Sequence, residues 1–202
     1  MSRKPVHLAV YDTFADWETG HTTAWLARAG YEVRTVGPSA AKDPVVSIGG
    51  MRVQPSDALD GLRPEDSALL VLPGAGLWET GDDLAPFARK AREFLDAGVP
   101  VAAICGATAG LAREGLLDDR AHTSAVSFYL AATGYRGGDR YVDADAVTDR
   151  GLVTAGPTEP VAFAREVFGL LGVYEGEVLD AWYRLFHDSD AEAYAVLEKA
   201  VQ

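Results

Sequence analysis

The feature that most narrows the fold is an alternation of short, uniformly apolar runs with longer amphipathic ones. VHLAVY (6–11), ALLVLPG (68–74) and VPVAAIC (99–105) are apolar on both faces of an extended chain, as strands buried in a parallel sheet must be. Stretches of helical period lie between them. Asp16 to Ala29 reads as a helix stopped by Gly30. Leu84 to Ala97 reads as another, with Phe87, Ala91 and Phe94/Leu95 on one face and Gly98 after it. Gly106 to Glu114, closed by Gly115, and Thr158 to Leu171 are two more. YEVRTV (31–36) is a further strand. Two hairpins are expected, VVSIGGMRV (45–53) turning at Gly49-Gly50 and AVTDRGLVTA turning at Asp149-Arg150-Gly151. The order predicts an α/β protein: a three-layer sandwich with a mostly parallel sheet and helices on both faces. Ligands of such sheets bind beyond the carboxyl ends of the strands, here after Tyr11, Leu72 and Ile104.

Residues 1–172 form one expected domain. The remainder, 173–202, reads as a helical C-terminal extension packed on it, with two helices parted around Asp188-Ser189-Asp190. A chain of 202 residues, 48% of them hydrophobic, can bury a core without staples. Eighteen basic against 30 acidic residues give a net charge of −12, which disfavours nucleic acid and anionic membranes as partners. One cysteine excludes an intramolecular disulfide and any structural zinc site built on two or more cysteines. The four histidines show no zinc-type spacing, and the glycine-rich turns lack the Walker and G-x-G-x-x-G patterns, so neither metal nor cofactor is expected. The N-terminal MSRKPVHLAVYDTF has too short an apolar stretch for a secretory signal, and no run approaches the ~20 apolar residues of a membrane span. A soluble protein of a reducing cytoplasm is expected.

Three segments carry chemistry. In AAICGATAG (102–110) an apolar strand runs straight into Cys105, and small residues follow as a helix opens. Small neighbours let the central side chain of a tight strand-to-helix turn stand clear, which is the logic of a nucleophile elbow. The new helix also aims its N-terminal dipole at the sulfur and favours the thiolate. Glu18 shares a helical face with Thr22, Trp25 and Ala29, so its carboxyl is expected to be buried, with a raised pKa and a proton to donate. The pair is expected to share one negative charge, mainly on sulfur. In LPGAG (72–76), glycines after a buried strand let backbone amides turn toward a ligand, as an oxyanion hole requires.

Taken together, VYDTFADWE, LVLPGAG, AAICGATAGLAREGLL and GLVTAGPTEPVAFAREV resemble the ThiJ/PfpI family of the class I glutamine amidotransferase-like superfamily, which also holds the Parkinson-linked deglycase. The resemblance implies a flavodoxin-like sandwich, Cys105 as nucleophile and Glu18 hydrogen-bonded to its sulfur. It also implies an oxyanion hole built from Gly74, Ala75 and Gly106, with the Ala75 and Gly106 amides as its donors. Members of the family often place a histidine directly after the cysteine; here Gly106 stands there. In RAHTSA (120–125), Ser124 falls where a second family histidine would stand, and His122, two residues earlier, is the preferred third member. His21, one turn beyond Glu18, is the rival; His7 and His187 have no supporting context. Trp78, just after the glycine-rich loop, is expected to wall the pocket.

The resulting expectation is a cysteine-dependent enzyme acting on a small carbonyl, amide or isocyanide substrate, as a hydrolase, hydratase or glyoxalase-deglycase. The alternative is a stress-response or redox-sensing protein whose Cys105 is oxidised without substrate turnover. The expected partners are a small-molecule substrate and, by resemblance, a second copy in a homodimer.

Overall fold

A computed structural model of the chain describes residues 3–38 and 44–201. Its strands are β1 (Val6–Ala9), β2 (Val33–Gly37), β3 (Val45–Val46), β4 (Arg52–Val53), β5 (Asp57–Ala58), β6 (Leu69–Leu72), β7 (Val101–Ile104), β8 (Ala146–Asp149) and β9 (Leu152–Ala155). Seven of them form one sheet in the order β5-β2-β1-β6-β7-β9-β8. All neighbours are parallel except β8 and β9, the hairpin expected around Asp149-Arg150-Gly151. The second expected hairpin is β3–β4, a separate antiparallel pair. Every residue of β1, β6, β7 and β9 is buried, as their unbroken apolar runs require.

The helices are α1 (Gly20–Arg28), α2 (Ala85–Asp96), α3 (Gly106–Arg113), α4 (Ser127–Ala131), α5 (Pro160–Leu170), α6 (Gly176–His187) and α7 (Tyr194–Val201). Helix α1 packs with α5, and α2 packs with α3, giving the three layers. The chain runs from β1 outward to β2 and then returns to lay β6 on the other side of β1. That reversal opens a crevice at the carboxyl ends of β1 and β6, the place where doubly wound sheets bind ligands.

The helix expected over Asp16–Ala29 is divided. A 3-10 turn, Asp16–Thr19, precedes α1, with the break at Thr19 (φ −110°, ψ 0°). Asp16 is occupied elsewhere: its Oδ2 accepts from the Ser47 hydroxyl at 2.5 Å and the Gly49 amide at 3.1 Å, pinning the β3–β4 hairpin to this corner. The C-terminal extension forms α6 and α7 as expected; Gln202 lies outside the described residues. Trp182 of α6 is fully buried and meets Phe168, Trp25 and His21 edge-on, with ring centroids 4.8, 6.1 and 5.9 Å away. The extension thus adds its apolar face to the same core by laying α6 over α5 and α1. Among the described residues, no helix is long and apolar enough to cross a membrane.

Candidate active site

Cys105 follows β7 and caps α3 with φ +58° and ψ −129°. A side chain in this region is strained, and only surrounding structure holds it there. Three contacts do so. The Cys105 amide donates to the Ala155 carbonyl of β9 at 3.0 Å, while its own carbonyl accepts from the Thr108 amide at 3.1 Å and the Thr108 hydroxyl at 2.6 Å. The Ser124 hydroxyl lies 2.7 Å from the Thr108 hydroxyl. Ser124 therefore supports the elbow through Thr108, at the place where the family pattern suggested a histidine.

Trp78 packs behind the elbow against α3, where it also lines a small cavity with Gly110, Arg113 and Glu114. A Cβ on Gly110 would come 2.2 Å from the Trp78 ring, and one on Gly106 would come 3.3 Å from Trp78 and 3.2 Å from the Ala75 carbonyl. These two glycines, one helical turn apart, make a groove in α3 that the indole fills. Trp78 Nε1 donates to Tyr11 Oη at 3.0 Å and to the Pro73 carbonyl at 3.1 Å, and the Tyr11 hydroxyl donates to that same carbonyl. A buried brace thereby links the ends of β1 and β6 to the start of α3.

Glu18 is fully buried in the 3-10 turn after β1. The helical-face argument reached the right burial by the wrong route, because Glu18 precedes α1. Its Oε2 accepts from the Gly74 amide at 2.6 Å. Gly74 sits where a Cβ would lie 2.9 Å from Cys105 Sγ and 3.0 Å from Glu18 Oε1, so the residue must be glycine for thiol and carboxyl to face one another. Oε1 has no hydrogen bond of full geometry among the described residues, although the Cys105 thiol is near enough for each group to perturb the other. The thiol proton therefore has an open acceptor beside it.

Burial raises the Glu18 carboxyl, with the Gly74 amide and the thiol opposing that rise. Burial, then the Glu18 charge, push the Cys105 thiol up to about 12, against the Gly106 amide directed at the sulfur. The site holds no more than one negative charge at neutral pH. The expectation that this charge rests mainly on sulfur needs correction: with Glu18 ionised the sulfur keeps its proton, and the thiolate belongs to the form in which Glu18 has taken it. Glu79 also works against ionisation of Cys105, and the Tyr129 hydroxyl donates to Glu79 Oε1 at 3.4 Å. Neither residue stood out in the sequence, since nothing local marks which loop will face a distant elbow.

His122 does not join this group. It is fully buried, with Nδ1 2.8 Å from the Arg120 carbonyl and Nε2 3.0 Å from Tyr135 Oη. A carbonyl can only accept, so Nδ1 carries the proton and Nε2 accepts from Tyr135. Both nitrogens are spent in a structural network, and burial lowers the imidazole pKa. His21 packs edge-on against Trp182 and Phe186. His7 lies 2.8 Å from the Ser67 hydroxyl, and His187 lies 2.6 Å from Asp188 Oδ1. Among the described residues, the hydrogen bonds and ring contacts of the four histidines are all made to groups other than Cys105.

A flavodoxin-like sandwich whose one cysteine occupies a strained strand-to-helix elbow, faced by a buried carboxyl, defines a recognisable class. The chain belongs to the DJ-1/PfpI family, whose model matches residues 4–169. It is 37% identical over 196 residues to an uncharacterized protease, YoaZ, of Bacillus subtilis (strain 168), covering 92% of this chain and 91% of that protein. It is 29% identical over 176 residues to protein/nucleic acid deglycase 2 of Escherichia coli (strain K12), covering 85% of this chain and 99% of that one. Among solved structures, a thiJ/pfpI family protein from Bacillus anthracis superposes with a TM-score of 0.89 at 35% identity, covering 97% of this chain and 96% of that one. The family model stops before α6, whereas this last likeness extends over nearly the whole chain.

Proposed function

We propose that the protein is a cysteine-dependent enzyme acting on a small carbonyl, amide or isocyanide substrate. The observation that supports this reading most is the free Oε1 of buried Glu18 beside a thiol held at positive φ. The thiol proton passes to Oε1, so the nucleophile forms without any change in the net charge of the site. Sulfur then bonds to the electrophilic carbon, and the π electrons move onto the substrate oxygen or nitrogen. The Ala75 and Gly106 amides receive that negative charge, with Gly74 allowing the close approach. Glu18 returns the proton to the adduct. With no histidine in contact, Glu18 is the acid and base of this scheme, which favours carbonyl or hydratase-type addition over peptide hydrolysis.

The homodimer belongs to the same proposal. Trp17, Ile48 and Met51 are 53%, 58% and 53% exposed, and the hydrogen bonds of Asp16 hold their two segments together beside the elbow. A second copy would cover this corner and shield the elbow from solvent.

Glyoxals, amides and isocyanides screened against wild type and Cys105→Ala test the reading. Turnover by the wild type should fall at least about a thousandfold in the variant, with the melting temperature retained. Equal turnover by both proteins overturns it. Absence of turnover, with a peroxide-dependent gain in mass at Cys105, would favour the redox sensor.

A further inference from the structure

At the outer edge of the sheet, far along the chain from the elbow motif, three metal-ligating side chains from three elements converge. Asp145 precedes β8, Glu159 precedes α5, and His187 ends α6. One ligand atom of each lies within 4.8 Å of the other two. We propose that Asp145, Glu159 and His187 bind a divalent transition-metal ion of the zinc class.

The imidazole is already oriented for this task. Its Nδ1 lies 2.6 Å from Asp188 Oδ1, and its ring stacks on Tyr183 with centroids 4.5 Å apart. Nε2 is left facing Asp145 Oδ2 at 4.0 Å. A carboxylate on the far nitrogen of a ligating histidine is the usual outer support of zinc sites, because it fixes the tautomer and raises ligand basicity. The two carboxyls are supported as well: the Tyr183 hydroxyl donates to Asp145 Oδ2 at 3.4 Å, and the Thr158 hydroxyl donates to Glu159 Oε1 at 2.8 Å. Arg165, whose guanidinium carbon lies 5.3 Å over the Tyr183 ring, is the neighbouring cation, and it is divided between Glu166 and Asp180. It does not neutralise the trio.

Two ligand atoms about 2.1 Å from a tetrahedral zinc ion stand about 3.4 Å apart. The trio therefore needs a contraction of roughly an ångström, within the reach of side-chain rotation at a partly exposed site. One imidazole with two carboxylates favours zinc-class ions over magnesium or calcium, which prefer oxygen alone. Three protein ligands leave one position for water. Residues 145, 159 and 187 form no compact motif, which is why the spacing of histidines in the sequence did not reveal them. A bound ion would clip α6, and with it the C-terminal extension, to the β8 edge and the start of α5.

The test uses the full chain carrying Cys105→Ser, so that the thiol does not compete for zinc. Zinc chloride is titrated by calorimetry, and melting is followed with zinc or with EDTA. One equivalent should bind and raise the melting temperature. His187→Ala and Asp145→Asn should each weaken binding by roughly tenfold or more and abolish the rise. Should His187→Ala fail to fold, Asp145→Asn, at an exposed position, carries the test. Failure to bind at millimolar zinc, or binding unchanged by both substitutions, overturns the proposal.

Discussion

Glu18 and His122 are both polar and both fully buried, Glu18 on the turn that follows β1 and His122 on the segment between α3 and α4. They differ in how completely they are satisfied. His122 has a partner on each nitrogen and two aromatic rings packed nearly perpendicular to it, Tyr135 at 5.4 Å and Tyr141 at 5.9 Å. Glu18 has one oxygen bonded to Gly74 and the other turned to the Cys105 thiol, its only other hydrogen-bonding neighbour among the described residues. A buried polar group with all its bonds made stabilises one structure and has nothing left to exchange. One with an unmade bond carries a desolvation penalty. Thr22 Oγ1 and Trp182 Nε1 are also buried without a partner among the described residues, so an open bond points to chemistry only where, as at Glu18, it stands beside a nucleophile.

That contrast can be broken at its strongest point first. Glu18→Gln keeps an acceptor for Gly74 and a donor toward sulfur but cannot exchange a proton. The expected outcome is a loss of kcat/KM of about a hundredfold or more, with stability changed by less than about 1 kcal/mol. Unchanged kinetics would place Glu18 beside His122 as architecture. His122→Phe should do the reverse, lowering the unfolding free energy by about 1–3 kcal/mol in denaturant titrations, because the Arg120 carbonyl and Tyr135 hydroxyl lose their partner. Its kcat/KM should stay near that of wild type; a fall as deep as that of Glu18→Gln would return the histidine to the machinery.

The smallest effect is in pH dependence. Burial lowers the pKa of folded His122 below 6.5, so under acid the unfolded chain takes up a proton that the folded chain refuses. Stability is therefore fully present above pH 6.5 and falls as pH drops through that value toward the folded pKa. His7 and His21 act in the same direction, whereas His187, raised by Asp188, opposes them. His122→Phe should flatten the acid limb by up to one proton, at most about 1.4 kcal/mol per pH unit. An acid limb as steep as that of wild type would mean that His122 is as free to protonate as a solvent-exposed imidazole.

Most of the architecture could be read from the chain, because apolar runs and glycine stops report directly on burial and turns. Both hairpins, the buried strands and the paired helices of the extension stand where the pattern put them. The elbow was legible for a related reason: a strand leading straight into Cys105 and then Gly106 leaves the cysteine little choice of backbone. Partnership was harder. Strand alternation says which way His122 points but not that the Arg120 carbonyl and Tyr135 are waiting for it. The apolar neighbours of Trp78 did not reveal that Gly106 and Gly110 form its groove. Glu18 was correctly buried for an incorrect reason, since the Thr19 break that turns it inward leaves no mark in periodicity.

The strained elbow has a consequence for how the chain can be watched. Its corner is assembled from residues 18, 74 and 105, brought together only when β1, β6 and β7 lie side by side. In the folded protein the thiol is pushed up to about 12. Once those strands part, it returns to the ordinary value of about 8.5 and gains both solvent and thiolate character. Since the chain holds a single cysteine, labelling by an alkylating reagent reports on this one site. Its rate sums direct attack by the half-buried thiol of the folded elbow and labelling through opening of the sheet. Only the second part grows with denaturant, so the two are separable without an engineered probe.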